Sequence, residues 1–205
     1  MKKSFSFPIV FMIIITAFFT FILAFLNYST ADRIAFNQEV ELSKKLLYIF
    51  DIEPLSDDPN DINQAFIENI GNIGSEDEPM YVYYGDNQEI LGYAVPVNGS
   101  GLWGSIEGYV GLSADYSTML GLEFISHSET PGLGGRISEE WYKEQFRGLD
   151  VTTVQNGNYI IYRPAAGGNV DAIAGATLTS KSVSNLINED LDKFIKERGI
   201  NNGRI

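Results

Sequence analysis

Between Ser4 and Ala31 the chain carries no charged side chain, and Ile9 to Leu26 is almost wholly aliphatic and aromatic. No other segment constrains the fold as tightly. A helix of about 20 apolar residues crosses the roughly 30 Å hydrocarbon core of a bilayer, whereas a helix buried in a soluble protein is rarely apolar on every face. The run therefore reads as a single membrane span. Lys2 and Lys3 precede it, and the formal net charge of the whole chain is -13, so the part beyond the span is strongly acidic. The positive-inside rule then sets the N-terminus in the cytoplasm and the C-terminal body outside it, on an inner or cytoplasmic membrane. Ser29, Thr30 and Ala31 are small enough for a signal peptidase, but the apolar run exceeds the roughly 7–15 residues of a signal-peptide core.

With 205 residues, the chain has room for this anchor and one domain of ordinary size. It contains no cysteine. That excludes a disulfide framework, thiolate zinc sites, cysteine-ligated iron–sulfur clusters and a cysteinyl flavin. Redox chemistry, if present, must come from a bound cofactor. The acidic balance and the lack of basic clusters argue against nucleic acid, whose phosphates would be repelled. His127 is the only histidine, too isolated for a metal site and suited to hydrogen bonding beside a loop.

The rest of the chain reads as an α+β fold, a mainly antiparallel sheet with flanking helices. Three regions are expected: 1–31 as cytoplasmic N-terminus and transmembrane anchor, 32–79 as a juxtamembrane helical region, and 80–205 as the functional domain. Asp32 to Phe50 reads as a juxtamembrane helix. A second helix follows Asp58 as N-cap with Pro59 in its first turn, carries Ile62, Phe66 and Ile70, and stops at Gly71. Glu76, Asp77 and Glu78 form a polar connector. Met80–Tyr84 and Glu89–Val97 flank Gly85, Asp86 and Asn87 as a hairpin would. In Ser105–Leu112, Ile106, Gly108, Val110 and Leu112 alternate with Glu107, Tyr109 and Gly111 to give one apolar face. Met119–Ser126 continues the meander, Ser138 caps a short helix carrying Trp141, Tyr142 and Phe146, and Asn156-Gly157 turns a hairpin between Val151–Val154 and Tyr159–Arg163.

The segment DAIAGATLTS, Asp171 to Ser180, leads into Val183, Leu186, Ile187, Leu191, Phe194 and Ile195, which share one helical face up to Gly199. The segment thus sits at a helix N-terminus, where unpaired N–H groups and the positive end of the macrodipole favour a phosphate. Gly175 and Ala176 would let a phosphate approach the backbone closely. The plainer alternative is that Thr177, Thr179 or Ser180 is the helix N-cap.

DAIAGATLTS resembles the flavinylation motif of the FMN-binding subunits of two membrane complexes, the C subunit of the Na+-translocating NADH:quinone reductase and the G subunit of the Rnf complex. Two more segments resemble the same family in the same order. GSGLWGSIEGYVGL, Gly99 to Leu112, is similar to its GLW segment, and HSETPGLGGRI, His127 to Ile137, to its ETPGLG loop. Trp141 and Phe146 also stand where that family has aromatic residues. The resemblance implies that FMN is joined through its phosphate to the hydroxyl of Thr177, within a motif opened by Asp171. It implies that Leu102, Trp103, Glu129, Thr130 and Leu133 lie beside the flavin and that Gly175, Ala176 and Thr179 complete its binding site. The chain departs from the motif at Ala174, where the family usually carries Ser or Thr. GLW and ETPGLGGRI lean toward the quinone reductase branch, and the chain length toward the Rnf branch.

The activity implied is electron relay by covalent FMN in an ion-translocating oxidoreductase, with no catalytic side chain and no metal. Implied partners are the other subunits of a membrane redox complex and a separate flavin transferase that uses FAD and Mg2+. Two readings from other classes stand beside this one. A stand-alone membrane-anchored flavoprotein would purify without further subunits, and a flavin-free binding module would show no flavin absorbance.

Overall fold

The computed structural model describes residues 6–75, 79–152, 154 and 157–197. Lys2 and Lys3, the acidic connector at Glu76, Asp77 and Glu78, Asn156 of the expected hairpin turn, and Gly199 lie outside them. The chain divides into two compact units, Met1–Glu41 and Leu42–Ile205.

The first unit consists of the N-terminal part of helix α1 (Ser6–Ile49). From Phe7 to Leu26 its side chains are almost all apolar and outward: Phe7, Ile14, Phe21 and Leu23 are each more than 60% exposed. This is the one helix among the described residues long and apolar enough to cross a membrane, with a mean hydropathy of 2.9 over an 18-residue stretch. Ser29, Thr30 and Ala31 lie within it, and the Ser29 and Thr30 hydroxyls donate to the Leu26 carbonyl at 3.0 and 2.8 Å.

The second unit opens with the last turns of α1 and continues through α2 (Pro59–Asn69) into a five-stranded antiparallel sheet, whose order β1-β2-β3-β4-β5 follows the chain. The strands are β1 (Ile70–Asn72), β2 (Tyr81–Tyr84), β3 (Ile90–Ser100), β4 (Ser105–Ser113) and β5 (Met119–His127). Asp58 caps α2, its side chain accepting from the Asn60 N–H at 2.9 Å, and Pro59 stands in the first turn. Ile70 differs from expectation, for it leaves the helix as the first residue of β1. Its burial accounts for the helical spacing that Ile62 and Phe66 begin.

One sheet face carries Val95, Val97, Ile106, Val110, Leu112, Leu122 and Phe124 into a core closed by Val183, Leu186, Ile187 and Leu191 of α4 (Thr177–Glu197). The alternation expected along β4 is present on this face. The opposite face is also covered, which the alternation did not foretell: Tyr109 and Gly111 are buried as well. Tyr81 meets Tyr109 and Phe66, and Phe50 meets Tyr83, at ring separations of 5.1–6.1 Å. The end of α1 lies directly on the register pair Gly111 and Gly121, where a Cβ would come within 2.4 and 2.6 Å of Ile49 atoms. Arg147 ties that helix end to β5, donating to the Tyr48 and Ile49 carbonyls and to that of Leu120.

One local expectation is corrected. The short helix is broken into a 3-10 turn (Gly134–Ser138), α3 (Glu140–Lys143) and a second 3-10 turn (Glu144–Phe146), and Glu139 rather than Ser138 precedes α3. The Ser138 hydroxyl is paired with His127 instead. The hairpin expected between Val151–Val154 and Tyr159–Arg163 turns on Gln155 and Asn156, which with Thr153 lie outside the described residues, whereas the backbone from Tyr159 to Ile161 is described. Side-chain amides satisfy this backbone: Asn188 Oδ1 accepts from the Tyr159 and Ile160 N–H groups at 2.7 and 2.9 Å, and Asn169 Oδ1 from Ile161 at 2.9 Å.

Candidate functional site

Glu129 is the residue on which the three motif segments converge. It follows β5, is 5% exposed, and both its carboxylate oxygens accept protein hydrogen bonds. Oε1 takes the backbone N–H groups of Leu102 and Trp103 at 2.7 and 3.2 Å, and Oε2 takes the Thr179 hydroxyl at 2.5 Å. A turn between β3 and β4, the loop after β5 and the first turn of α4 are thereby tied to one side chain. The approach is close enough that a Cβ at Gly134 would lie 2.4 Å from Thr179 Oγ1 and 2.5 Å from Glu129 Oε2. Burial opposes ionisation of Glu129 most strongly, but the bonds from Thr179, Trp103 and Leu102, with the nearby His127 ring, hold its carboxyl below its ordinary value.

His127 orients this loop. The Glu129 N–H donates to His127 Nδ1 at 3.3 Å, and Nε2 lies 2.8 Å from the Ser138 hydroxyl. Because the amide can only donate, Nδ1 accepts, and in the neutral ring the proton is on Nε2.

Thr177 is the first residue of α4 and is exposed. None of the three candidate hydroxyls caps this helix. Thr179 is spent on Glu129, the Ser180 hydroxyl accepts the Ile173 N–H at 3.1 Å, and Thr177 lies inside the helix, with Ala176 ahead of it accepting from the Ser180 N–H at 3.0 Å. Ala174 and Gly175 are exposed, and Gly175 has the positive φ of +80°. A Cβ there would lie 3.5 Å from Leu133.

Glu129 thus joins the backbone of Leu102 and Trp103 to Thr179, Leu133 stands beside Gly175, and the buried Ala176 follows at the start of α4. Thr130 is exposed on the loop after β5, where its carbonyl accepts from the Leu133 and Gly135 N–H groups. Asp171 stands farther out, its carboxylate 2.9 Å from Arg163. Leu102, Trp103, Leu133 and Leu178 are 47–67% exposed. Four apolar side chains left outside a filled core, beside a helix N-terminus and a free-standing hydroxyl, are the components that an aromatic ring bearing a phosphate requires. Leu178 is not among the residues that the motifs single out; its place next to Thr177 is the signal that could have found it. Trp141 is partly exposed beneath the Arg136 guanidinium, 5.4 Å from the ring centroid, whereas Phe146 is fully buried. A cavity of about 410 Å³ lined by Met80, Val95, Asp190, Lys193 and Phe194 shares no residue with this group.

Residues 101–192, which run from the turn before β4 into α4, match the FMN-binding domain family. The expected resemblance therefore holds: the chain is similar to subunits of two ion-translocating oxidoreductases. It is 29% identical over 207 residues to the G subunit of the ion-translocating oxidoreductase complex of Methanosarcina acetivorans, covering 97% of this chain and 98% of that one. It is 34% identical over 135 residues to the C subunit of the Na(+)-translocating NADH-quinone reductase of Pseudomonas aeruginosa, and the match spans 62% of this chain but 52% of that longer relative. The crystal structure of the C subunit of the Na(+)-translocating NADH-quinone reductase of Parabacteroides distasonis has the same fold, with a TM-score of 0.63 at 22% identity over 79% of this chain and 93% of that one.

Proposed function

We propose that the chain is a membrane-anchored electron-transfer subunit that carries FMN as a phosphoester on Thr177, within residues 80–205 as its FMN-binding domain. The carrying observation is the convergence of all three motif segments on Glu129, with Thr177 exposed beside them. Bound there, FMN would supply one- and two-electron redox chemistry that no side chain of this cysteine-free chain offers.

The protein's part is to hold and orient. Thr177 supplies the attachment oxygen: its Oγ bonds the flavin-side phosphorus of FAD on a flavin transferase, the pyrophosphate bond breaks, AMP leaves and the hydroxyl proton passes to solvent. The first-turn N–H groups of α4 favour the phosphate. Leu102, Trp103, Leu133 and Leu178 offer apolar surface to the ring, and Glu129 keeps the turn, loop and helix that present them in one arrangement. Near full-length likeness to the G subunit of one such complex, and partial likeness to the longer C subunit of another, supports a place in an Rnf-type or Na+-translocating quinone reductase assembly. The apolar α1 supports single-pass anchoring, and Lys2 and Lys3 support an extracytoplasmic C-terminal domain.

Coexpression with a flavin transferase tests this. Denatured wild-type protein should stay yellow and gain the mass of one FMN phosphoester, Thr177→Ser should be modified and Thr177→Ala should not. Unmodified wild-type mass would overturn the covalent reading. Copurifying membrane redox subunits would support the assembly, and their absence would indicate a stand-alone flavoprotein.

A further inference from the structure

We propose that Gln145 is a positioning residue for flavin attachment, acting through the backbone of Asp171. This rests on Thr177 being the attachment site. Gln145 belongs to the 3-10 turn Glu144–Phe146, which is anchored by the fully buried Tyr142 and Phe146. Its Oε1 accepts the Asp171 N–H at 2.7 Å, and its Nε2 donates to the Asp171 carbonyl at 3.4 Å. The side-chain amide grips both polar groups of one peptide residue, as a neighbouring strand would.

Around this grip the motif is pinned at short intervals. Val170, fully buried, pairs with Tyr162 as a parallel bridge. The Ile173 N–H donates to Ser180 Oγ at 3.1 Å, and the Ala176 N–H to the Ile173 carbonyl at 3.0 Å. Between these points Ala174, Gly175 and Thr177 remain exposed. Among the described residues the Asp171 carboxylate pairs with Arg163 at 2.9 Å, and both side chains are more than half exposed. Such surface pairs are weak. The half-buried Gln145 amide is therefore the firmer hold on the start of the motif.

A fixed loop presents the Thr177 oxygen in one position to the transferase, and loosening the loop spreads it over several. A misplacement of about 1 Å can cost about 100-fold in rate. The test is a time course with full-length chain made without the transferase, then supplied with purified transferase, FAD and Mg2+, and followed by intact mass. Gln145→Ala is expected to slow attachment at least about tenfold. Gln145→Glu keeps the acceptor for the shorter bond and is expected to stay within about threefold of wild type, with both melting temperatures close to wild type. Equal rates for Gln145→Ala and wild type would overturn the proposal, because attachment would then be indifferent to the folded loop. So would a Gln145→Glu variant as slow as Gln145→Ala. Wild-type protein that takes no flavin would instead defeat the assignment of Thr177.

Discussion

The Glu129 carboxylate and the Thr179 hydroxyl, 50 residues apart in the chain, meet at 2.5 Å in the interior. Removing the carboxylate leaves a buried hydroxyl and two backbone N–H groups to find new partners. The N–H groups of Leu102 and Trp103 are near the surface and water can serve them, so the main penalty falls on Thr179. Glu129→Ala is expected to cost about 2–3 kcal/mol. For a unit of this size that lowers the melting temperature by about 4–12 °C. Calorimetry of the detergent-solubilised chain would check it, and a double-mutant cycle with Thr179→Val should show strong coupling. Additive effects of the two changes would refute the pairing.

The same carboxylate gives a pH dependence of definite sign. Its folded value is depressed, so between the folded value and the ordinary glutamate value of about 4.3 the unfolded chain binds more protons. Its stabilisation is complete above that ordinary value and is lost as pH falls through the folded one. Other carboxylates, such as Glu144, are depressed as well, so the informative quantity is a difference. Urea midpoints measured from pH 7 to pH 3 should fall less steeply for Glu129→Gln than for wild type.

Glu123 and Lys143 form a nearly dry ion pair, with side chains 8% and 12% exposed. Lys143 also lies over the Tyr48 ring at 4.4 Å. Lys143→Met strands a buried carboxylate and is expected to destabilise by about 3–5 kcal/mol, whereas adding Glu123→Leu should restore most of that loss. Chemical denaturation of both variants decides. A double variant no more stable than Lys143→Met would show that the ammonium contributes by packing rather than by charge.

Trp103 is 67% exposed and Leu133 47%, so neither should matter to folding. Trp103→Ala and Leu133→Ala are expected to change stability by no more than about 0.5 kcal/mol. If the two side chains face the attached ring, the same substitutions should alter flavin emission, with that of Trp103→Ala increasing. Unchanged emission from both variants would move the flavin away from them.

Much of this molecule is legible from local pattern. The apolar run needs no partner to be recognised, Asp58 and Pro59 mark a helix start by themselves, and the α4 face from Val183 to Leu191 follows from spacing. What escaped depends on distant residues. Ile70 has helical spacing but is claimed by β1, because Tyr83 offers it a partner. The stretch from Tyr159 to Ile161 has a strand's composition, and the side chains that accept its N–H groups, Asn188 and Asn169, are ones that no local pattern announces. The site divides in the same way. Its segments are visible as motifs, while the hub role of Glu129 and the grip of Gln145 on Asp171 exist only when residues 26 to 50 positions apart come together.

The contact of Ile49 with Gly111 and Gly121 also bears on how freely this sequence can vary. A methyl group at either position would collide with the end of α1, from which the sheet cannot withdraw without opening its own ladder. Across a scan of all substitutions, the sharpest band of intolerance on β4 and β5 should therefore fall on residues that have no side chain, Gly111 and Gly121 together with Gly108, whose Cβ would lie 2.5 Å from the Glu123 carbonyl oxygen, while bulky Trp103 in the turn before β4 accepts almost any replacement without harm to the fold. In this domain, freedom to mutate tracks the space left around a position rather than the size of what occupies it.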